Sequence, residues 1–373
     1  MQFITSQTEL EQCCSNLLQQ PVIALDTEFV RERTYYPALG LVQIADRDNV
    51  YLIDPLALDD LTPLKNLVES PNVIKVIHSC GEDIEVLNVG LNATPTAFFD
   101  TQIAHAFISD NASIGLGAMV AQYQGVELDK GHARTNWLKR PLSPQQLDYA
   151  ADDVRYLLPI FDIQMQKLLD INMLDYVEQE VTGLISKRTQ EVDPKLAWRD
   201  VKSAWELTPR ELAILARLIE WRFNYAVKKN LALNFVVHER SIVTLCQRRP
   251  GSFKSMFNIP GIHPMEIKRH GKAMLACIEA GKAVPEEACP AKIKRVAEIA
   301  GYKKIYSRLK KVAAEVAEAQ QISVELLAPK RMINQFIGYH WQVTEWSRDV
   351  EPEVTLGWRG ALLAEAFKTA IAE

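Results

Sequence analysis

Short apolar runs of strand length alternate with helix-length stretches through the first half of the chain, and the alternation stops near residue 185. That pattern belongs to an α/β unit, in which a buried sheet uses apolar runs and helices cover its faces. Residues 22–25, 41–45, 50–53 and 73–77 are the clearest strands, with 97–99 a fifth. The second and third are separated by Asp46-Arg47-Asp48-Asn49, a run of turn formers. Helices are expected over about 82–89, 101–108, 114–123 and 144–170. The last has a clear start: Ser143 as N-cap, Pro144 at the first helical position and Gln146 completing a capping box.

Beyond 185 the strand signals fade and the chain reads as helical to its end. Thr208-Pro209-Arg210-Glu211 repeats the cap, proline and box, and opens a helix reaching about residue 229. Shorter helices over 239–248 and 264–279 complete a compact unit. A faint echo follows: Lys268-Arg269-His270-Gly271-Lys272-Ala273-Met274-Leu275 is similar to Gly357-Trp358-Arg359-Gly360-Ala361-Leu362-Leu363, each near the end of its unit. A duplicated helical module is therefore expected. With 373 residues there is room for two or three domains. The expected division is 1–185 as the α/β unit, 186–207 as connector, and 208–288 and 289–373 as helical modules.

Charge follows the same division. Residues 1–190 hold 13 basic against 26 acidic side chains, a net of −13, while 191–373 carry a net of +8. An acidic half suits cations and a basic half suits a polyanion. Uneven surface charge alone would give the same figures, so the asymmetry sets a direction without naming a substrate. No run of about 18 apolar residues appears, and the first ten residues lack the basic-then-apolar order of a secretory signal. The six cysteines, at 13, 14, 80, 246, 277 and 289, include no C-x-x-C pair. Reduced thiols in a cytoplasmic protein are expected, and a zinc site is disfavoured.

Three elements carry the chemistry. Asp26-Thr27-Glu28 stands where an apolar strand ends, and alternation along an extended chain puts residues 26 and 28 on one side. Paired carboxylates of this kind suit hard cations that prefer oxygen ligands. Alone the motif is weak: a second copy, Asp349-Val350-Glu351, sits beside Pro352 in what reads as a loop. Next, Asp83 falls in the first turn of a helix leaving the carboxyl end of the 73–77 strand, where α/β sheets commonly hold ligands. An aspartate there also complements the helix dipole without any further role. Finally, Tyr149 and Asp153 lie four apart on one helix face, with Ala150 and Ala151 leaving room between. Asp152 is three from Tyr149, and spacing alone does not exclude it.

In this order the three elements resemble the motifs of the DEDD exonuclease superfamily, and within it the ribonuclease D family, over about residues 22–158. Asp26-Thr27-Glu28-Phe29 matches the first motif, Asp83 the second, and Tyr149 with Asp153 the third, which marks the tyrosine subclass and selects Asp153 over Asp152. Leu41-Val42-Gln43-Ile44, Ile53-Asp54-Pro55-Leu56 and Phe99-Asp100-Thr101 are also similar. One departure is Thr135-Asn136-Trp137, where the family pattern has Ser-Asp-Trp. The resemblance implies a ribonuclease H-like fold: a mixed sheet with flanking helices, followed by all-α domains. It also implies a catalytic set of Asp26, Glu28, Asp83, Tyr149 and Asp153. The four carboxylates would hold two divalent cations, Mg²⁺ or Mn²⁺, about 3.5–4 Å apart, clamping the attacking and leaving oxygens of a phosphodiester. Asp26 is the expected shared ligand, and Phe29 and Gln43 are the expected substrate contacts.

The 208–281 stretch resembles the helicase-and-ribonuclease-D C-terminal (HRDC) domain through Leu218-Ile219-Glu220-Trp221-Arg222, Arg249-Pro250 and Ile259-Pro260-Gly261-Ile262. That resemblance implies a nucleic-acid-binding accessory. Arg248, Arg249, Lys254, Lys268, Arg269 and Lys272 cluster around the Pro-Gly turn. Lys303, Lys304, Arg308, Lys310 and Lys311 form a second basic stretch, interleaved with Tyr302 and Tyr306. The expected partner is RNA with a free 3′ end, tRNA precursors included, acted on by a monomer needing no membrane or obligate protein partner. A single-stranded DNA exonuclease and a silent RNA-binding protein are the rival expectations. The second is weakened because no metal-binding carboxylate is missing.

Overall fold

The computed structural model describes residues 1–109, 113–128, 131 and 135–372. Six strands form one mixed sheet: β1 (Gln2–Ile4), β2 (Val22–Val30), β3 (Ala38–Ala45), β4 (Val50–Ile53), β5 (Ile74–Ile77) and β6 (Phe98–Asp100). Their order is β1-β4-β3-β2-β5-β6. The β2–β3 and β3–β4 pairs are antiparallel, and β1–β4, β2–β5 and β5–β6 are parallel. Ile23, Ala24 and Leu25 of β2 are all fully buried, as an inner strand covered on both faces requires.

β2 runs on past its apolar run to Val30, because β3 pairs with it back to Ala38. Asp26 and Glu28 are therefore held in ladder rather than in a loop. β1 was not legible in the sequence: it is a three-residue edge strand, too short for alternation to register. The single helix expected over 144–170 is two, Pro144–Arg155 and Leu157–Asp170, parted at Tyr156. Pro159 explains the break, since it offers no N–H to the Arg155 carbonyl and its ring crowds that oxygen.

Beyond the sheet, the Pro209–Lys229 and Pro264–Lys282 helices pack around Leu212, Ile214, Leu218 and Met274 as a separate apolar core. They approach closely at Gly281, where a Cβ would stand 2.5 Å from the Ile214 Cα. This middle unit meets the six-stranded sheet through the loop after β2. Tyr35 packs edge-on against Phe223 at 5.5 Å, the Tyr36 amide donates to Asn230 Oδ1 and the Ala232 amide to the Arg33 carbonyl. The last helices, Tyr302–Gln320, Lys330–Trp341 and Gly357–Ala372, behave differently. Their apolar residues, Leu309, Phe336 and Phe367 among them, are continuous with the core of the α/β unit. Trp358 makes the join, stacked on Tyr176 at 5.0 Å and edge-on to Phe107 at 5.4 Å. Among the described residues no helix is long and apolar enough to cross a membrane, and all six cysteines are free.

Candidate active site

The register of the central hairpin places Asp26 opposite Gln43 and Glu28 opposite Leu41, with a bulge between Glu28 and Phe29. Asp26 and Glu28 share a face. Thr27, alternating away from them, donates its hydroxyl to Asp83 Oδ1 at 2.5 Å and so ties the start of the Gly81–Leu91 helix to the strand. Asp100 aims that helix. Ser79 turns through a left-handed conformation (φ 61°), and the amides of Ser79 and Cys80 both donate to the Asp100 carboxylate, at 3.1 and 2.7 Å. The same carboxylate caps the Thr101–Ile108 helix by accepting from the Gln102 and Ile103 amides.

The third motif arrives from the opposite layer. The Pro144–Arg155 helix packs across β2, β3 and β4, and Ala150 and Ala151, both fully buried, let it settle close to the sheet. Asp153 is buried and accepts a hydrogen bond from the Tyr149 hydroxyl. Asp152 turns outward to Arg155 at 2.5 Å, so the geometry separates two aspartates that spacing alone did not. Trp137, 1% exposed, leans on the Tyr149 ring with centroids 6.2 Å apart. Its loop is fastened by Arg140, which reaches both Asp54 oxygens at 2.6 Å and the Gly40 and Trp137 carbonyls. Position 40 must be glycine here: a Cβ would lie 2.7 Å from the Trp137 oxygen. In the departure from the family pattern, Asn136 Oδ1 accepts from the Leu138 amide at 3.0 Å. That task needs an oxygen and no charge, so asparagine preserves the turn.

Burial and mutual repulsion dominate the electrostatics. Burial, then the Asp83, Asp153 and Glu28 charges, hold the Asp26 carboxyl well above the usual carboxylate range. Burial and the same neighbours push Glu28 up to about 9. Asp153 rises to about 7, mainly through burial and despite the Tyr149 hydroxyl. Burial raises Asp83 only to about 6, because the Thr27 hydroxyl favours its ionised form. Tyr149 is also raised, by burial and then by the neighbouring carboxylates, which removes it as a base at neutral pH. The acids are near enough to perturb one another, although among the described residues no three His, Cys, Asp or Glu side chains are gathered as they stand so that they could hold a metal ion.

Of the expected substrate contacts, Phe29 is half-buried, with one side against the core. Gln43 needs correction: it is 0% exposed, so no substrate touches it directly. Asp349-Val350-Glu351 is a surface segment in which Asp349 pairs with Arg199 at 3.0 Å. Tyr302 is buried and hydrogen-bonded to Asn334, so it is packing rather than offered to a nucleic acid. Sequence reasoning missed Thr27, Asp100 and the Asp54–Arg140 pair. Asp100 had a usable signal, an N-cap aspartate just after a strand; the other two depend on long-range approach.

Comparison with known proteins finds relatives along the whole chain. Residues 1–170 match the model of a 3′–5′ exonuclease family, 211–278 an HRDC domain and 300–367 the C-terminal HRDC domain of ribonuclease D. The chain is 40% identical to ribonuclease D of Escherichia coli K12 over 372 residues, covering 100% of this chain and 98% of that protein. Ribonuclease D of Cronobacter turicensis is 39% identical, with 98% of each chain covered. The crystal structure of the Escherichia coli protein, described as an exoribonuclease involved in structured RNA processing, superposes with a TM-score of 0.95 over 100% of this chain and 98% of that one. With exonuclease motifs, both helical modules and full-length similarity in agreement, the chain belongs to the ribonuclease D family.

Proposed function

We propose that the chain is a divalent-metal-dependent 3′→5′ exoribonuclease. It releases nucleoside 5′-monophosphates one at a time from RNA with a free 3′ end, tRNA precursors and other small structured RNAs among its substrates. One observation carries this reading: Asp26 and Glu28, half-buried on the central strand, feel the charges of Asp83 and Asp153, which are buried on two flanking helices. The donor set fits a hard cation. It is all oxygen, and negative charges gathered this closely are stabilised only by protons or by cations. Asp26, Glu28, Asp83 and Asp153 would hold two ions, Mg²⁺ or Mn²⁺. When bound, the ions supply Lewis-acid polarisation of the phosphodiester and lower the pKa of water.

The chain's own residues do the rest. Asp26, repelled by all three other acids, is the natural shared ligand. Glu28 and Asp153 serve the nucleophile side, and Asp83 the leaving-group side. Tyr149 stays protonated at neutral pH, and with its proton given to Asp153 its oxygen orients the attacking water as an acceptor. Phe29 offers its free side to the terminal base, a contact that any base can make. The division of labour follows the expected segments, with 1–185 cutting and 208–288 and 289–373 holding RNA. Phe253 and Phe257, 39% and 42% exposed beside Lys254, form a stacking surface with a phosphate partner in the middle unit. A cytoplasmic monomer is the simplest form of this enzyme.

Cation binding has a pH signature. The raised carboxyls bind more protons in the folded than in the unfolded state, so the site's contribution to stability falls as pH rises from about 4 toward 9. Protons and cations compete for the same oxygens. The rise in melting temperature on adding Mn²⁺ is therefore expected to be several degrees at pH 8.5 and near zero at pH 5. An equal rise at both pH values would place the ion elsewhere.

The activity itself is tested with matched 5′-labelled RNA and DNA oligonucleotides, each incubated with Mg²⁺, Mn²⁺ or EDTA. A metal-dependent ladder of single-nucleotide steps on RNA is expected. A ladder only on DNA would replace the RNA assignment, and binding without shortening would leave a silent RNA-binding protein.

A further inference from the structure

Gln43 lies directly across from Asp26 in the β2–β3 ladder, and opposed residues of an antiparallel pair project from the same face. Its side chain is 0% exposed, among Leu41, Val42 and Ile44, which are also fully buried. Neither Nε2 nor Oε1 has a hydrogen-bond partner among the described residues. A leucine would fill the position without an unmatched amide, and natural cores rarely keep such a group without a use for it.

The donors around the site suggest the use. Asp83 takes the Thr27 hydroxyl and Asp153 the Tyr149 hydroxyl. Among the described residues the donor to Asp26, the most crowded of the acids, is the Thr27 backbone amide. Among the described residues an unmatched donor on Asp26's own face is the Gln43 amide; the Trp137 indole N–H, also unmatched, lies instead against Tyr149. Ligating carboxylates are in general steadied by a second hydrogen bond from behind. We propose that Gln43 is a positioning residue, its Nε2–H donating to the Asp26 carboxylate in the working site and fixing that carboxylate's orientation from the solvent-free side. This rests on Asp26 being a cation ligand. It gives Gln43 a role behind the chemistry, with no substrate contact.

Gln43→Leu is the test, with Gln43→Met as a second donor-free variant of closer length should leucine fail to fold. Three quantities are read: melting temperature in EDTA, the Mn²⁺ concentration giving half the maximal melting shift, and kcat and KM on single-stranded RNA. Removing an unmatched buried amide is expected to raise the EDTA melting temperature by about 2–4 °C. The half-saturating Mn²⁺ concentration should rise about tenfold, kcat fall about 10–100-fold, and KM stay within about twofold. Unchanged kcat and cation affinity would overturn the proposal. So would a raised KM at constant kcat, which would make Gln43 a substrate contact after all. Wild-type protein run in parallel separates the failures: no cation-dependent cleavage there would refute the active-site assignment rather than the role of Gln43.

Discussion

Asp26→Asn is expected to lower RNA cleavage by at least about 10³-fold while making the metal-free protein more stable. The loss follows from position. Asp26 is the acid that all three others repel, midway along the inner strand where its apolar run stops. If it is the ligand common to both cations, asparagine removes a charge from each. Losing about 4 kcal/mol of transition-state stabilisation corresponds to roughly 10³ in rate. The gain in stability has the same origin. A neutral amide removes repulsion against Glu28, Asp83 and Asp153, which stabilises the folded chain in EDTA by about 1–2 kcal/mol, or a few degrees in melting temperature. Saturating Mn²⁺ should reverse the order, because wild type gains more from the ion than the variant does. Melting curves with EDTA and with Mn²⁺, beside a single-turnover cleavage assay, separate these effects. A variant that cuts at more than a tenth of the wild-type rate would remove Asp26 from the site.

The catalytic set was legible because its residues sit at positions that local rules can mark. Asp26 and Glu28 end an apolar run, Asp83 opens a helix, and Tyr149 and Asp153 are one helical turn apart behind a capping box. Those rules place each side chain on its own element, and the resemblance to known motifs joined the elements. What escaped depends on approach between distant segments. Nothing near Gly40 shows that the Trp137 backbone will lie on it, and nothing near Asp54 announces Arg140. Gln43 shows the limit most sharply. Sequence gives a polar residue on an apolar strand, and only the packed fold shows that a helix covers it completely. Pro159 is a different kind of miss: the helix break was written locally, and a strong start signal at Ser143 outweighed it.

The join between the last helices and the α/β unit concentrates on one carboxylate, and Glu180→Ala is expected to cost about 3 kcal/mol. Glu180 accepts from both terminal nitrogens of Arg359 and, at 2.7 Å, from the Trp358 indole N–H. Gln179 next to it accepts the Trp358 amide at 2.8 Å, so two consecutive residues of one helix receive the start of another. Arg359 is 8% exposed, and removing the partner of a buried charge costs about 3–5 kcal/mol. The lower end applies, because the Leu326 and Leu327 carbonyls still accept from the guanidinium. Arg359→Met alone should cost a comparable amount. The pair Glu180→Leu with Arg359→Met should cost less than the sum by about 2 kcal/mol, since an apolar pair replaces a desolvated ionic one. Undocking has a functional consequence that leaves the carboxylates untouched. A short unstructured RNA should be cut at the wild-type rate, while a structured RNA that needs the C-terminal helices should bind more weakly. Limited proteolysis should then cut first between residues 289 and 301. If Glu180→Ala changes neither melting nor proteolysis, the packing of Trp358 against Tyr176 and Phe107 holds the two units together by itself, and the ion pair serves orientation rather than adhesion.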